Sequence, residues 1–154
     1  MKLLLTSGGV KNPSIRSALD DLLPKPLTEC DALCITTSSY ALRNGPRMAY
    51  EYITTSSSTP MTDLGWKSLG VLEPTALPSL PTEQWRAWVE ASDVLLVNGG
   101  DPMYLCYWMQ RSGLADLLPT YGGVYVALSA GSMIMAPRIG TEFVGWKPPA
   151  EFDR

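Results

Sequence analysis

The feature that most constrains the fold is a serine placed between a short apolar segment and a run of small residues. Residues 123–128 have the composition of a buried strand and lead directly into Ser129, Ala130 and Gly131. The apolar residues that follow, as far as position 136, favour a helix. An α/β fold presents a nucleophile on a strand-to-helix turn of this kind. The pattern therefore predicts an α/β fold with Ser129 at the carboxyl end of a strand.

The chain of 154 residues contains no histidine. Histidine is the usual base for a serine nucleophile, so that base is not supplied by this sequence. The turn also lacks the glycine two positions before the serine that α/β-hydrolases carry. Two interpretations of Ser129 stay open: it is a nucleophile whose base lies elsewhere, or it only caps a buried helix.

Composition indicates one globular domain over residues 1–154, with 45% apolar and 18% charged residues. The net charge of −3 and the lack of a basic run argue against a nucleic-acid partner. The apolar runs are far shorter than the roughly 20 residues of a membrane-spanning helix, so no membrane partner is predicted. Three cysteines without a CxxC pair indicate buried thiols in a reducing, cytoplasmic compartment. Neither a metal nor a cofactor is predicted.

Apolar segments alternate with segments of helical spacing along the chain. The predicted strands cover residues 2–6, 32–37, 69–72, 93–98, 123–128 and 143–146. The predicted helices cover residues 14–23, 47–55, 61–69, 102–109 and 130–136, with another beginning after an N-cap at Thr82. The alternation, together with strands that are apolar on both faces, predicts a parallel sheet with helices on both sides.

A second glycine turn follows the predicted strand that ends at Asn98. Gly99 and Gly100 let the backbone approach a substrate closely and offer an N–H donor. Sites in parallel sheets form at the carboxyl ends of strands, so this turn and Ser129 are expected to border one pocket. Asp101 either orients a substrate amine or caps the next helix, and Glu142 is either a site acid or a solvated loop carboxylate.

Three segments resemble dipeptidase E, the aspartyl dipeptidase family of serine peptidases, which is related to the cyanophycinases. They are MKLLLTSGG at the start, VNGGDP in the middle, and ALSAGS followed by Ala136 and Pro137. The resemblance runs through the whole chain in order, but only the glycine turn and the serine elbow are specific. The fold it implies is a doubly wound α/β sheet like that of class I glutamine amidotransferases.

The resemblance implies a role for each matching residue. Ser129 matches the family nucleophile, and the amides of Gly100 and Ala130 match the implied oxyanion hole. Asp101 stands where the family commonly has asparagine, and Glu142 lies near an acidic position of some members. The family's histidine and its acidic partner lie further along than this chain extends. The resemblance therefore implies the nucleophile-bearing part of a longer fold.

The expected function is hydrolysis of short peptides, with N-terminal aspartate as the expected preference. The alternative is a binding or assembly module that keeps the serine elbow without the chemistry. On either interpretation, a sheet without its C-terminal strands is expected to expose apolar surface beside Ser129. Such a chain is expected to self-associate or to pair with the polypeptide that completes the fold.

Overall fold

Five short strands form a single parallel sheet. The computed structural model describes residues 1–152. The strands are β1 Lys2–Thr6, β2 Asp31–Ile35, β3 Ser68–Val71, β4 Val94–Val97 and β5 Val124–Leu128. They lie in the order β1-β5-β4-β2-β3, and every neighbouring pair is parallel. The register aligns Leu4, Val126, Leu96 and Cys34 across four strands.

Helices connect the strands as the alternating pattern predicted. They are α1 Pro13–Leu22, α2 Gly45–Ile53, α3 Thr82–Ala91, α4 Pro102–Arg111, α5 Leu114–Leu117 and α6 Ala130–Met133. Two of them begin with a side-chain cap followed by proline: Asn12 accepts from the amide of Ile15, and Asp101 accepts from that of Tyr104. Proline suits the first turn because its missing N–H has no partner there.

Alternate residues of the central strands enter two separate cores. Leu96 and Val126 pack into one cluster with Leu19 of α1, whereas Leu95 and Tyr125 pack into the other, on the opposite face. Both faces of the sheet are therefore covered, which explains why β4 and β5 are apolar at every position. The predicted α/β fold with a parallel sheet is confirmed.

Two predicted elements are wrong. Residues 61–67 form a compact loop rather than a helix, because Gly65 has φ +94° and the Trp66 indole donates back to the Met61 carbonyl at 2.7 Å, and residues 68 and 69 already belong to β3. Residues 143–146 form no strand. The amides of Gly145 and Trp146 donate instead to the Asp101 carboxylate, so they are not available to a sheet.

Other boundaries differ by a few residues. Helix α6 ends at Met133 rather than at position 136, and α3 begins with Thr82 itself, after Pro81 in the capping position. Helix α2 begins at Gly45, two residues before the predicted start.

The sheet ends at β1 on one side and at β3 on the other. On β1, Leu3 and Leu5 are 42% and 44% exposed, and on β3 Val71 is 57% exposed. These residues place apolar surface at both sheet edges, next to backbone groups that no further strand of residues 1–152 pairs. Within the described part of the chain, no helix has both the length and the apolar character needed to cross a bilayer.

Two buried tyrosines are expected to respond in opposite directions to replacement by phenylalanine. The Tyr52 hydroxyl is fully buried without a hydrogen-bond partner in the described structure, whereas that of Tyr125 donates to the Gly131 carbonyl at 2.8 Å. Burial raises the pKa of both phenols. Tyr52→Phe is expected to stabilise the protein by about 1 kcal/mol because it removes an unpaired polar group.

Tyr125→Phe is the matched control, expected to destabilise by about 1 kcal/mol because it leaves a buried carbonyl unpaired. Urea denaturation of both variants measures the two changes. A loss of stability in Tyr52→Phe equal to that in Tyr125→Phe would contradict the unpaired state of the Tyr52 hydroxyl.

Candidate active site

Ser129 has a backbone conformation that residues other than glycine seldom adopt. It joins β5 to α6 with φ 48° and ψ −116°. Such a conformation costs about 1–3 kcal/mol and persists only where the surroundings impose it. An ordinary N-cap serine has extended backbone and accepts a hydrogen bond from its own helix, whereas the Ser129 side chain makes no capping bond. Capping therefore does not explain why this residue is held here.

Hydrogen bonds to β1 and close packing against β4 hold the Ser129 turn in place. The Ser129 amide donates to the Thr6 carbonyl at 3.0 Å. The Ser132 hydroxyl donates to that carbonyl at 2.8 Å and accepts from the Thr6 amide at 3.1 Å. A Cβ on Gly131 would lie 2.8 Å from the Val97 carbonyl oxygen, so only glycine lets α6 pack this close to β4. The strained turn is thus fixed by neighbours from both sides.

The second glycine turn lies against Ser129. A Cβ added to Gly99 would come within 3.1 Å of the Ser129 Cβ. Gly100 follows with φ +149° and packs against the backbone of Ser38. The Ser38 hydroxyl donates to the Gly99 carbonyl at 2.8 Å, and the Asn98 side chain accepts from the Gly99 amide at 2.8 Å. These hydrogen bonds fix the orientation of the Gly100 amide, which follows Gly99.

Sequence reasoning missed Ser38 and Asn98 as supports of the site. Both are buried polar residues just beyond the ends of β2 and β4. The signal was the polar run that follows β2, residues 36–39, because polar residues at a strand end need partners once they are buried. The sequence did not indicate that Ser38 binds the Gly99 carbonyl, because the two residues are about 60 positions apart in the chain.

Ser129 and Gly100 line one cavity of about 550 Å³ at the carboxyl edge of the sheet. This confirms the expected geometry of the two turns. Within residues 1–152, the amides of Gly100 and Ala130 have no acceptor at hydrogen-bonding distance, and neither has the Ser129 hydroxyl. One carboxylate lines the cavity in the described structure, that of Glu51, and it pairs with Arg47 at 2.7 Å. The roles assigned to Ser129, Gly100 and Ala130 stay predictions.

Asp101 and Glu142 lie apart from this cavity. Asp101 is 2% exposed, and its carboxylate accepts from the Tyr104 amide at 2.9 Å and from the Gly145 and Trp146 amides at 2.7 Å each. It caps α4, as one of the two interpretations expected, and also holds the C-terminal segment. Burial beneath these three donors leaves a substrate amine little access to the carboxylate. Glu142 is exposed on a short turn, and the structure does not bring it to the cavity that Ser129 lines.

None of the three cysteines is placed to act as the nucleophile. Burial raises the pKa of all three thiols, that of Cys34 to about 12. A thiol with a raised pKa stays protonated and is a poor nucleophile at neutral pH. None of the three cysteines therefore replaces Ser129 as the predicted nucleophile.

Two solved structures share this fold. A putative peptidase E from Listeria monocytogenes EGD-e superposes with a TM-score of 0.59 at 21% identity, over 89% of this chain and 63% of that structure. A peptidase from an acI-B1 Actinobacterium superposes with a TM-score of 0.50 at 19% identity, over 86% of this chain and 55% of that structure. The chain thus spans less than two thirds of each. At these identities the likeness establishes the fold.

Family membership rests on the sequence as a whole. No curated protein sequence matches the chain. The family model described as Peptidase family S51 matches residues 3–151, which include both glycine-rich turns and Ser129. The chain belongs to peptidase family S51.

Proposed function

We propose that this chain supplies the nucleophile and the oxyanion hole of a serine peptidase that hydrolyses short peptides. The observation that carries the proposal is the strained turn at Ser129, where the serine hydroxyl and the nearby amides of Gly100 and Ala130 have no hydrogen-bond partner within residues 1–152. Strain and unpaired donors both cost stability, and active sites are where such costs are retained. Membership of a peptidase family supports the same assignment.

In the proposed reaction, the Ser129 Oγ attacks the scissile carbonyl while a base accepts its proton. The carbonyl oxygen becomes an oxyanion, which the amides of Gly100 and Ala130 bind. Return of the proton to the amine releases it, and water then hydrolyses the acyl-enzyme in the same way. Preference for an N-terminal aspartate comes from the resemblance to dipeptidase E and stays part of the proposal.

The base is proposed to come from a histidine on another polypeptide segment, because this sequence has none. The carboxyl end of β1 is a suitable point of entry. Its last residue, Thr6, bonds directly to the Ser129 amide, and its outer edge has no partner strand in the described structure. A parallel strand added there would lie two strand spacings, or about 10 Å, from β5, so a histidine on the loop after that strand would be close enough to reach Ser129. The same addition would cover Leu3 and Leu5.

The lack of histidine also favours a second candidate, a binding or assembly module that keeps the site geometry without turnover. The two candidates differ in whether Ser129 can be acylated when a base is provided. A module that has lost the chemistry has no need of free oxyanion donors, whereas the peptidase needs both.

Added imidazole is expected to make Ser129 reactive toward a fluorophosphonate probe. At neutral pH the chain alone is expected to show no labelling, since no histidine deprotonates the hydroxyl. Imidazole at high concentration provides the missing base: the Oγ–P bond forms, fluoride leaves, and imidazole takes the proton. Intact-mass and peptide mass spectrometry are expected to find one adduct, at Ser129.

Ser129→Ala is expected to abolish the adduct, whereas Ser7→Ala, which removes an exposed hydroxyl from the wall of the same cavity, is expected to keep it. No labelling with imidazole, or adducts spread over several serines, would overturn the nucleophile assignment. Labelling without imidazole would point to a base within the chain, and Glu51→Gln would then test the carboxylate that lines the cavity.

A further inference from the structure

We propose that a second pocket, at the carboxyl ends of β2 and β3, binds an organic ammonium group. The pocket measures about 410 Å³, and its walls are three aromatic rings, a carboxylate and a threonine: Tyr40, Tyr104, Trp108, Glu73 and Thr75. Aromatic rings around a carboxylate form a common receptor for alkylammonium groups, because ring faces attract cations and the carboxylate supplies the opposite charge.

The carboxylate of the pocket is held in place by neutral donors. One oxygen of Glu73 accepts from the Thr37 hydroxyl at 2.7 Å, from the Thr75 hydroxyl at 3.1 Å and from the Thr75 amide at 3.3 Å. Its other oxygen accepts no hydrogen bond from residues 1–152. No lysine or arginine of the described structure lies within 4.0 Å of this carboxylate. The negative charge is therefore fixed in position but not neutralised.

Contacts between aromatic rings fix the position of Tyr104 in the wall of the pocket. Tyr104 meets Trp108 edge to face, with ring centroids 6.3 Å apart, and meets Trp146 edge to face at 5.1 Å. Tyr40, on the turn after β2, is 48% exposed. Ordered rings on one side and an accessible ring on the other suit a cation that enters from solvent.

The composition of the walls favours an organic cation over a metal ion. Calcium takes six to eight oxygen ligands and magnesium six, whereas this pocket offers one carboxylate and otherwise mostly ring carbon. Rings add attraction for a partly desolvated ammonium group, worth about as much as a good hydrogen bond. The source is either a free small amine or a lysine side chain, and the two share this chemistry.

The pocket is distinct from the Ser129 cavity. The strand β3, which precedes Glu73, lies three strand spacings from β5, or about 14 Å. The two cavities share no lining residue, and an extended dipeptide, which spans about 7 Å, is too short to join Ser129 to the Glu73 carboxylate. The proposal therefore does not depend on the peptidase assignment.

Binding can be tested with a cation and its neutral isostere. Choline and 3,3-dimethyl-1-butanol have the same shape and differ in charge. In NMR titrations of the whole chain, choline is expected to shift the indole signal of Trp108 with saturation. The neutral alcohol is expected to bind at least about fivefold more weakly. Nα-acetyl-lysine methylamide forms the second arm: binding by it alone identifies a lysine side chain as the source, and binding by choline alone identifies a free amine.

Variants of the pocket residues test whether the cation binds at this pocket. Glu73→Gln keeps an oxygen for Thr37 and Thr75 but removes the charge, and is expected to weaken binding about tenfold. Tyr40→Ala, at an exposed position, is expected to weaken it several-fold. Glu83→Gln removes an exposed carboxylate at the start of α3 and is expected to leave binding unchanged. Equal affinity for the cation and the alcohol, no saturable shift with either cation, or unchanged binding in a folded Glu73→Gln variant would each overturn the proposal.

Discussion

Replacing Gly100 with alanine is expected to destabilise the protein by about 3 kcal/mol or more. The residue has φ +149°, where a side chain is strained, and an added Cβ would collide with the backbone of Ser38 and Ser39. Strain and overpacking each cost about 1–3 kcal/mol, and neither turn can move away because the Ser38 hydroxyl ties them together. The melting temperature is expected to fall by roughly 6–12 °C.

Two other glycines allow the cost of backbone strain to be measured separately from the cost of the steric overlap. Gly65 has φ +94° but open space around its Cβ position, so Gly65→Ala is expected to cost about 1 kcal/mol from strain alone. Gly122 has neither a positive φ nor a neighbour within 4 Å, and Gly122→Ala is expected to change stability by less than about 0.5 kcal/mol. Differential scanning calorimetry of the three variants gives the comparison. A Gly100→Ala protein as stable as Gly122→Ala would show that the two turns are not packed as described.

Asp101→Asn is expected to release the C-terminal segment from α4. The carboxylate accepts bonds from the amides of Gly145 and Trp146, and an asparagine would turn an NH₂ group toward donors. Bonds to a charged acceptor contribute about 1.5–3 kcal/mol each, so local opening is expected to become easier by about 3 kcal/mol. Hydrogen exchange at these two amides is expected to accelerate roughly a hundredfold.

The matched control is Asp116→Asn, which changes an exposed aspartate in the first turn of α5. It is expected to leave exchange at both amides unchanged. The aromatic contacts of Trp146 with Tyr104 and Tyr107 remain in both variants. Unchanged exchange in Asp101→Asn would show that these ring contacts, and not the carboxylate, hold the segment.

The elements that local pattern determines were predicted well. Strands that are apolar at every position, such as β4 and β5, are typical of a parallel sheet covered on both faces, and their alternation with helical segments gave the fold class. Proline after a capping residue marked the start of α4 for an equally local reason. The two wrong predictions have different causes. In residues 61–69 the backbone conformation of Gly65 is incompatible with a helix, and in residues 143–146 the amide of Gly145 binds the distant Asp101 carboxylate instead of a neighbouring strand.

The sequence by itself determined that a serine follows a buried strand, that a glycine turn ends another, and that no histidine is present. It also led to the expectation that the two turns border one pocket. Only the tertiary structure decided that they pack directly against each other, that Ser38 and Asn98 fix their geometry, and that Asp101 holds residues 145 and 146. The physical reason is the distance along the sequence over which each interaction acts. Helix and strand preferences act within a few residues, whereas strain at Ser129 and pairing of buried polar groups depend on neighbours that the fold brings together from as far as 44 to 126 residues away.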